Sequence, residues 1–187
     1  MTTLESIKII EKLRFNLKPF NDVQTFSELP GIYAIAYSGE NLPIGYNAKE
    51  LYKGEIIYIG KTTKGMLKRI SKTHFKSGKT GSSTLRRSLG AILREQLKLQ
   101  VVPKGLHPGV RDFKFIHESE MSLTKWMVEN LSVSFIPCDH GKRLLNQLES
   151  EIIYILDPVL NIAKNPKNES KYIIKELRRK CREISKI

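Results

Sequence analysis

A few polar residues in this sequence fall where their neighbours would bury them or line them up. Glu149 stands four residues after Leu145 and three before Ile152, which puts its carboxylate on or beside an apolar helical stripe. Glu151 points about 200° away, toward Gln147. A half-buried carboxylate is costly without a cation, so Glu149 needs an Arg, a Lys or a metal ion, and a structural salt bridge is the commonest answer. Tyr33 and Tyr58 lie in short β-branched runs, where tyrosines ordinarily serve as core aromatics. Taken alone, Arg69 reads as a surface charge and Asn161 as a turn residue after Pro158.

Other chemistries are disfavoured. Gly60-Lys61-Thr62 and Gly78-Lys79-Thr80 invite a nucleotide-binding reading, yet neither has a glycine five residues before its own Gly, and strand formers precede the first. No nucleotide cofactor is expected. Cys138-Asp139-His140 carries metal-capable atoms, but no second ligand pair accompanies it at zinc-site spacing. Cys138 and Cys181 read as free thiols in a reducing compartment.

Charge says more. The 187 residues carry 32 Lys+Arg against 19 Asp+Glu, a net +13, which implies a polyanionic partner. Between Lys61 and Arg94 there is no Asp or Glu, while Lys61, Lys64, Lys68, Arg69, Lys72, Lys76, Lys79, Arg86, Arg87 and Arg94 are all basic. Solvated faces usually mix signs, so this stretch is expected to face phosphates. A second basic excess runs from Lys164 to the end, on an expected helix with Tyr172, Ile173, Leu177 and Ile184 as its apolar side and Arg178, Arg179 and Arg182 outward. There, ordinary solvation and nucleic-acid contact weigh equally.

The elements that must position these residues follow from patterning. Residues 4–15 have helical spacing. Ile32 to Tyr37 and Glu55 to Gly60 read as two antiparallel strands, with 38–54 a long connection. Gly65 to about Phe75 and Ser83 to Leu99 read as helices, the second with Arg86, Arg87 and Arg94 outside its stripe. Residues 102–109 read as a loop and Ser122 as the cap of a short helix. Leu131 to Ile136 forms a third strand, and Lys142 to Leu156 a core helix halted before Pro158. The expected fold is α/β (α+β): a small three-stranded, mainly antiparallel sheet flanked by helices. One domain is expected, with a core over 28–165, a basic helical insertion over 76–122, an N-terminal helix within 1–20 and a basic C-terminal helix over 166–187.

Read in order, these residues form a pattern. Gly31-Ile32-Tyr33, then Tyr58-Ile59-Gly60, Arg69 on the next helix, and Glu149 with Pro158 and Asn161 nine and twelve residues on, resembles the GIY-YIG nuclease family. The resemblance spans about Pro30 to Ile162 and looks nearest to single-domain bacterial members, restriction endonucleases among them. It implies phosphodiester hydrolysis with one divalent ion, Mg²⁺ with Mn²⁺ as a substitute, held by Glu149. It implies that Arg69 stabilises charge on phosphorus, that Tyr33 or Tyr58 positions and deprotonates the attacking water, and that Asn161 braces the site. Lys61 is a candidate helper for the tyrosine, whose reference pKa is about 10. Many members carry a histidine four residues after the arginine. Here that position is Thr73 and the histidine is His74, five along, which an α-helix rotates by about 140°. His74 reaches the site only if the helix ends early or bulges. His107, His117 and His140 read as loop or surface residues.

The leading expectation is a Mg²⁺-dependent endonuclease of double-stranded DNA, of restriction type, with a homodimer on DNA as one arrangement. Its basic residues Lys64, Lys68, Lys72, Lys76, Lys79, Arg86, Arg87 and Arg94 would contact nucleic acid. The alternatives are a structure-specific repair or recombination nuclease and a non-catalytic basic nucleic-acid-binding protein of the same fold. No apolar run reaches membrane-spanning length and the first residues lack a signal-peptide layout, so a cytoplasmic location is expected.

Overall fold

A computed structural model of the chain describes residues 2–40, 42–44, 50–105, 112–138 and 141–186. The chain begins with α1 (Thr2–Phe15) and a two-residue β1 (Lys18–Pro19), then β2 (Gly31–Tyr37). A small hairpin, β3 (Leu42–Pro43) with β4 (Glu50–Leu51), leads to β5 (Ile56–Thr62) and the single turn α2 (Met66–Arg69). After α3 (Thr84–Leu93), β6 (Val101–Pro103) pairs with β7 (Phe113–Phe115). The remainder is α4 (His117–Asn130), β8 (Leu131–Pro137), α5 (Lys142–Leu156) and α6 (Lys171–Ile184).

The main sheet is antiparallel in the order β1-β8-β2-β5, which puts β2 inside, and a hydrophobic cluster packs on each of its two faces. All seven β2 residues are therefore buried. Ile32, Ala34 and Ala36 face α1 and α5, where Ile10, Leu13, Leu145, Leu148 and Ile152 pack. Tyr33, Ile35 and Tyr37 face the opposite cluster, built by Met66, Ile70, Leu85, Leu89, Leu123 and Met127. Period-two alternation thus aims Tyr33 and Tyr37 at one layer, which Tyr58 of β5 shares.

Several sequence expectations change. The sheet has four strands because Lys18–Pro19 adds an edge to β8; two residues, one a proline without a donor, leave no strand signal. The 102–109 loop expectation gives way to the β6-β7 pairing for Val102 and Pro103, while residues 106–111, His107 among them, lie outside the described residues. The helix expected from Ser122 starts at His117; Ser122 sits inside it and donates to Glu118 O at 3.0 Å. The core helix runs over Lys142–Leu156 and stops where Asp157 turns left-handed at φ 46°. On α6 the buried residues are Ile174 and Cys181, whereas Tyr172 and Ile184 are exposed. Both cysteines are free and buried, and Asp139 and His140 lie outside the described residues.

Candidate active site

Tyr33 on β2 pairs with Gly60 on β5, and Ile35 pairs with Tyr58. The pairing explains the glycine: a Cβ at Gly60 would sit 2.4 Å from the Tyr33 hydroxyl oxygen and ring. Gly31 is likewise required by close approach, because a Cβ there would fall 2.2 Å from the Ile136 carbonyl oxygen. The two aromatic rings lie 6.3 Å apart on the same face of the sheet.

Met66 and Leu67 open α2 by donating their N–H groups to Ser27 O at 2.9 and 3.2 Å, which fixes the turn that carries Arg69. The chain then winds as a π-helical turn over Ile70–His74, closed by Phe75 N donating to Ile70 O at 3.0 Å. That extra residue re-phases the helix, so His74 points back to the side of Arg69 instead of away from it. The bulge is the condition under which the sequence allowed His74 into the site.

The result is a chain of hydrogen bonds through the fully buried Tyr33, His74 and Ser83, with the partly buried Arg69 at its groove end. Tyr33 Oη is 2.7 Å from His74 Nε2, and His74 Nδ1 is 2.8 Å from Ser83 Oγ. Arg69 Nε donates to Tyr33 Oη at 3.2 Å. Ser83 also caps α3, its hydroxyl accepting from Arg86 N at 3.2 Å. Burial, then the Tyr58 hydroxyl nearby, holds the Tyr33 phenol well above its usual range, with Arg69 opposing. Burial, then Arg69 and Arg86, holds His74 well below its ordinary 6.5, so its ring is neutral. Unfolded His74 binds a proton below about pH 6.5 while the folded ring resists it, so stability present above that pH is lost as pH falls. Denaturant titrations at a series of pH values are expected to show this decline, and His74→Gln should flatten the part of it below pH 6.5.

Arg86 was expected at a phosphate surface, and the structure corrects this. Its side chain is completely buried, with Nη2 paired to Glu120 Oε2 at 2.6 Å. It further donates to His74 O at 3.2 Å, Thr80 Oγ1 at 3.2 Å and Glu120 O at 3.1 Å. Glu120 in turn accepts from Gly78 N at 3.1 Å and Thr80 N at 3.3 Å. The pair therefore ties the end of the π turn, the 78–80 loop and α4 together. The reversal has a physical cause: α4 brings a carboxylate to a position that one-helix periodicity marks as outward.

Glu149 is 14% exposed and carries Lys164 Nζ at 3.2 Å and Lys61 Nζ at 3.9 Å on its Oε2. Lys61 also donates to Asn146 Oδ1. Asn161 does not face the groove. Its amide clamps β5 at Ile59, accepting from the backbone N and donating to the backbone O, both at 2.8 Å. Together with Leu160 N donating to Ile57 O at 2.9 Å, this closes the free edge of the strand that carries Tyr58. Among the described residues no three His, Cys, Asp or Glu side chains cluster as a metal site.

Arg69 lines two adjoining grooves, of about 680 and 290 Å³, in the company of Lys64, Lys68 and Thr73. Lys72 and Lys79 line the first, Lys61 and Lys142 the second. Lys76 is exposed but lines neither groove. Arg87, held by Asp112 and Gly81 O at 3.0 Å each, and Arg94 lie farther along α3. Ser83, Thr84, Glu120, Lys142 and Lys164 join the site or its support without any signal in the sequence pattern beyond the capping Ser. His117 opens α4 and takes no part in it.

Among the described residues no helix is long and apolar enough to cross a membrane. No curated protein and no solved structure gives a significant match to the chain. The GIY-YIG catalytic domain family does, over residues 31–184, a span that begins at the glycine of the first triplet and includes every residue of the Tyr33, Tyr58, Arg69, His74 and Glu149 constellation. With both tyrosine-bearing triplets paired across one sheet and the arginine beneath a basic groove, the chain belongs to the GIY-YIG nucleases, hydrolases that act on nucleic acid.

Proposed function

We propose that this nuclease is a divalent-metal-dependent endonuclease of duplex DNA, of restriction type, with Tyr33 as general base. The observation that carries the reading is Tyr33 Oη, 2.7 Å from a neutral histidine nitrogen and 3.2 Å from the Arg69 guanidinium. A phenol whose pKa is raised cannot take a proton without losing its own. In this reading Tyr33 Oη takes a proton from the attacking water as its own shifts along the hydrogen bond to His74 Nε2, and the buried ring, which holds a proton poorly, passes it back through Tyr33 Oη to solvent. Ser83 holds His74 Nδ1 and so fixes the ring. The new P–O bond forms as the P–O3′ bond breaks, leaving a 5′-phosphate and a 3′ oxygen that is protonated from solvent. Arg69 faces the groove and neutralises charge on the phosphoryl oxygens, a task suited to its permanent charge and donor fork.

A half-buried carboxylate already holding two ammonium groups is a cation position, and one carboxylate suits Mg²⁺ or Mn²⁺, hard ions that complete their shell with phosphate oxygens and water. When bound, such an ion supplies Lewis-acid stabilisation of the leaving oxygen. Glu149 is the residue that would hold it, and Lys61 and Lys164 neutralise Glu149 until then. Lys64, Lys68, Lys72, Lys79 and Lys142 supply phosphate contacts along the grooves. Two copies on a palindromic duplex would cut both strands, which sedimentation of a DNA complex would show.

The test is plasmid cleavage with and without EDTA. Discrete metal-dependent bands are expected, and Tyr33→Phe should lower the rate about 10²- to 10⁴-fold, the usual worth of a general base. Tyr58→Phe should cost less. A full rate in Tyr33→Phe would move the base to Tyr58, and cutting confined to branched or damaged duplexes would replace restriction by repair.

A further inference from the structure

α3 and α6 pack against each other, and their seam collects arginines. Arg87 comes from α3 and Arg94 caps its C-terminus, Arg178 and Arg182 come from α6, and all four are partly buried. Asp112 pairs with Arg87 at 3.0 Å, and the exposed Glu95 pairs with Arg94 at 2.9 Å. On α6 both neighbouring acids, Glu176 and Glu183, turn to Arg179. Among the described residues no carboxylate is in ion-pair reach of Arg178 or Arg182. The Nε atoms of Arg87 and Arg178 are buried without a hydrogen-bond partner. Burial, then Arg87, holds the Arg178 pKa down, with Asp112 opposing and Arg182 adding to the repulsion. Like charges crowded at low dielectric destabilise a fold unless an anion joins them, and guanidinium forks are built for phosphate oxygens.

α3 links the seam to the groove at its N-terminal end. Arg87 grips Gly81 O at 3.0 Å, next to Ser82 in the groove wall, and α3 starts at Thr84, 3.4 Å from the Tyr58 hydroxyl. From Thr84 to Arg94 the helix climbs about 15 Å, roughly four nucleotide steps along a DNA strand. We infer that the α3-α6 arginine seam is a second backbone-phosphate site, which grips the DNA several nucleotides from the phosphate cut at Arg69. It rests on the DNA endonuclease reading above, and it makes α6 a substrate-binding arm of the domain.

The experiment compares the full chain with Arg178→Gln/Arg182→Gln on a long fluorescent duplex without metal, over a range of salt. The slope of log affinity against log salt should fall by about 1.8, for two lost phosphate contacts, and affinity by about tenfold near 0.1 M salt. In cleavage, KM should rise with little change in kcat, and Arg178→Lys/Arg182→Lys should retain most of the binding. Unchanged slope and affinity in the Gln variant would overturn the inference. So would a melting temperature that inorganic phosphate raises in the wild type alone while DNA affinity is equal in both, which would make the seam a small-anion site. Should the double variant unfold by circular dichroism, Arg182→Gln alone gives the same reading through a slope change of about 0.9. A wild-type chain that neither binds nor cuts DNA refutes the endonuclease reading itself, whereas wild-type binding with an unaltered variant refutes only the seam.

Discussion

If Glu149 holds the divalent ion of the proposed reading, Glu149→Gln is expected to lower cleavage at least about 10³-fold, since the charge stabilisation such an ion would supply is worth several kcal/mol and each 1.4 kcal/mol is tenfold. Binding should persist, because affinity comes from the lysines and arginines of the grooves, and removing a carboxylate near a phosphate lowers repulsion. The fold should persist too. Glutamine keeps the size of Glu149 and removes its charge; the Lys164 side of the pair is about half exposed, where an ion pair contributes roughly 0–1 kcal/mol, and the more buried Lys61 keeps Asn146 Oδ1 as its acceptor. This separates the functional reading from the structural one. If Glu149 served only to pair Lys61 and Lys164, the glutamine variant would cut at the wild-type rate, and the metal assignment would fail. Single-turnover cleavage beside anisotropy in EDTA measures both quantities on the same preparation.

The parts legible in the sequence were those whose cause is local. The two triplets announce their strands because β-branched residues flank a glycine, and the Gly60 contact with the Tyr33 ring shows why the glycine belongs there. α5 was readable to its last residue because a strong apolar stripe ends against a proline. What was not readable depends on partners far along the chain. Asn161 could be named a brace, but that it clamps Ile59 across 102 residues is a tertiary fact. Arg86 looked outward by periodicity because Glu120, 34 residues away, is invisible to a helical wheel. The phase of His74 was ambiguous because a π turn leaves no composition signal. The short hairpins were missed because strands of two or three residues, some with proline, lack a period to detect.

The second large effect concerns that Arg86-Glu120 pair. Arg86→Met alone leaves Glu120 charged and unpaired in the core, and Glu120→Leu alone does the same to Arg86; each is expected to cost about 3–5 kcal/mol of stability. For a chain of this size that is a melting temperature lower by about 6–20 °C. The double variant Arg86→Met/Glu120→Leu removes both charges and should regain most of the loss, since well-packed apolar replacements of buried ion pairs are often neutral or better. Activity is expected not to follow stability. Arg86 holds His74 O and Thr80 Oγ1, and Glu120 holds the Gly78 and Thr80 N–H groups, so the double variant folds with the π turn and the 78–80 loop released. His74 then loses its fixed distance to Tyr33, and a misplacement near 1 Å costs about 10² in rate. Melting curves and cleavage rates on the four proteins of this cycle divide the two contributions. Recovery of both stability and rate in the double variant would show that the pair stabilises the fold without positioning the histidine.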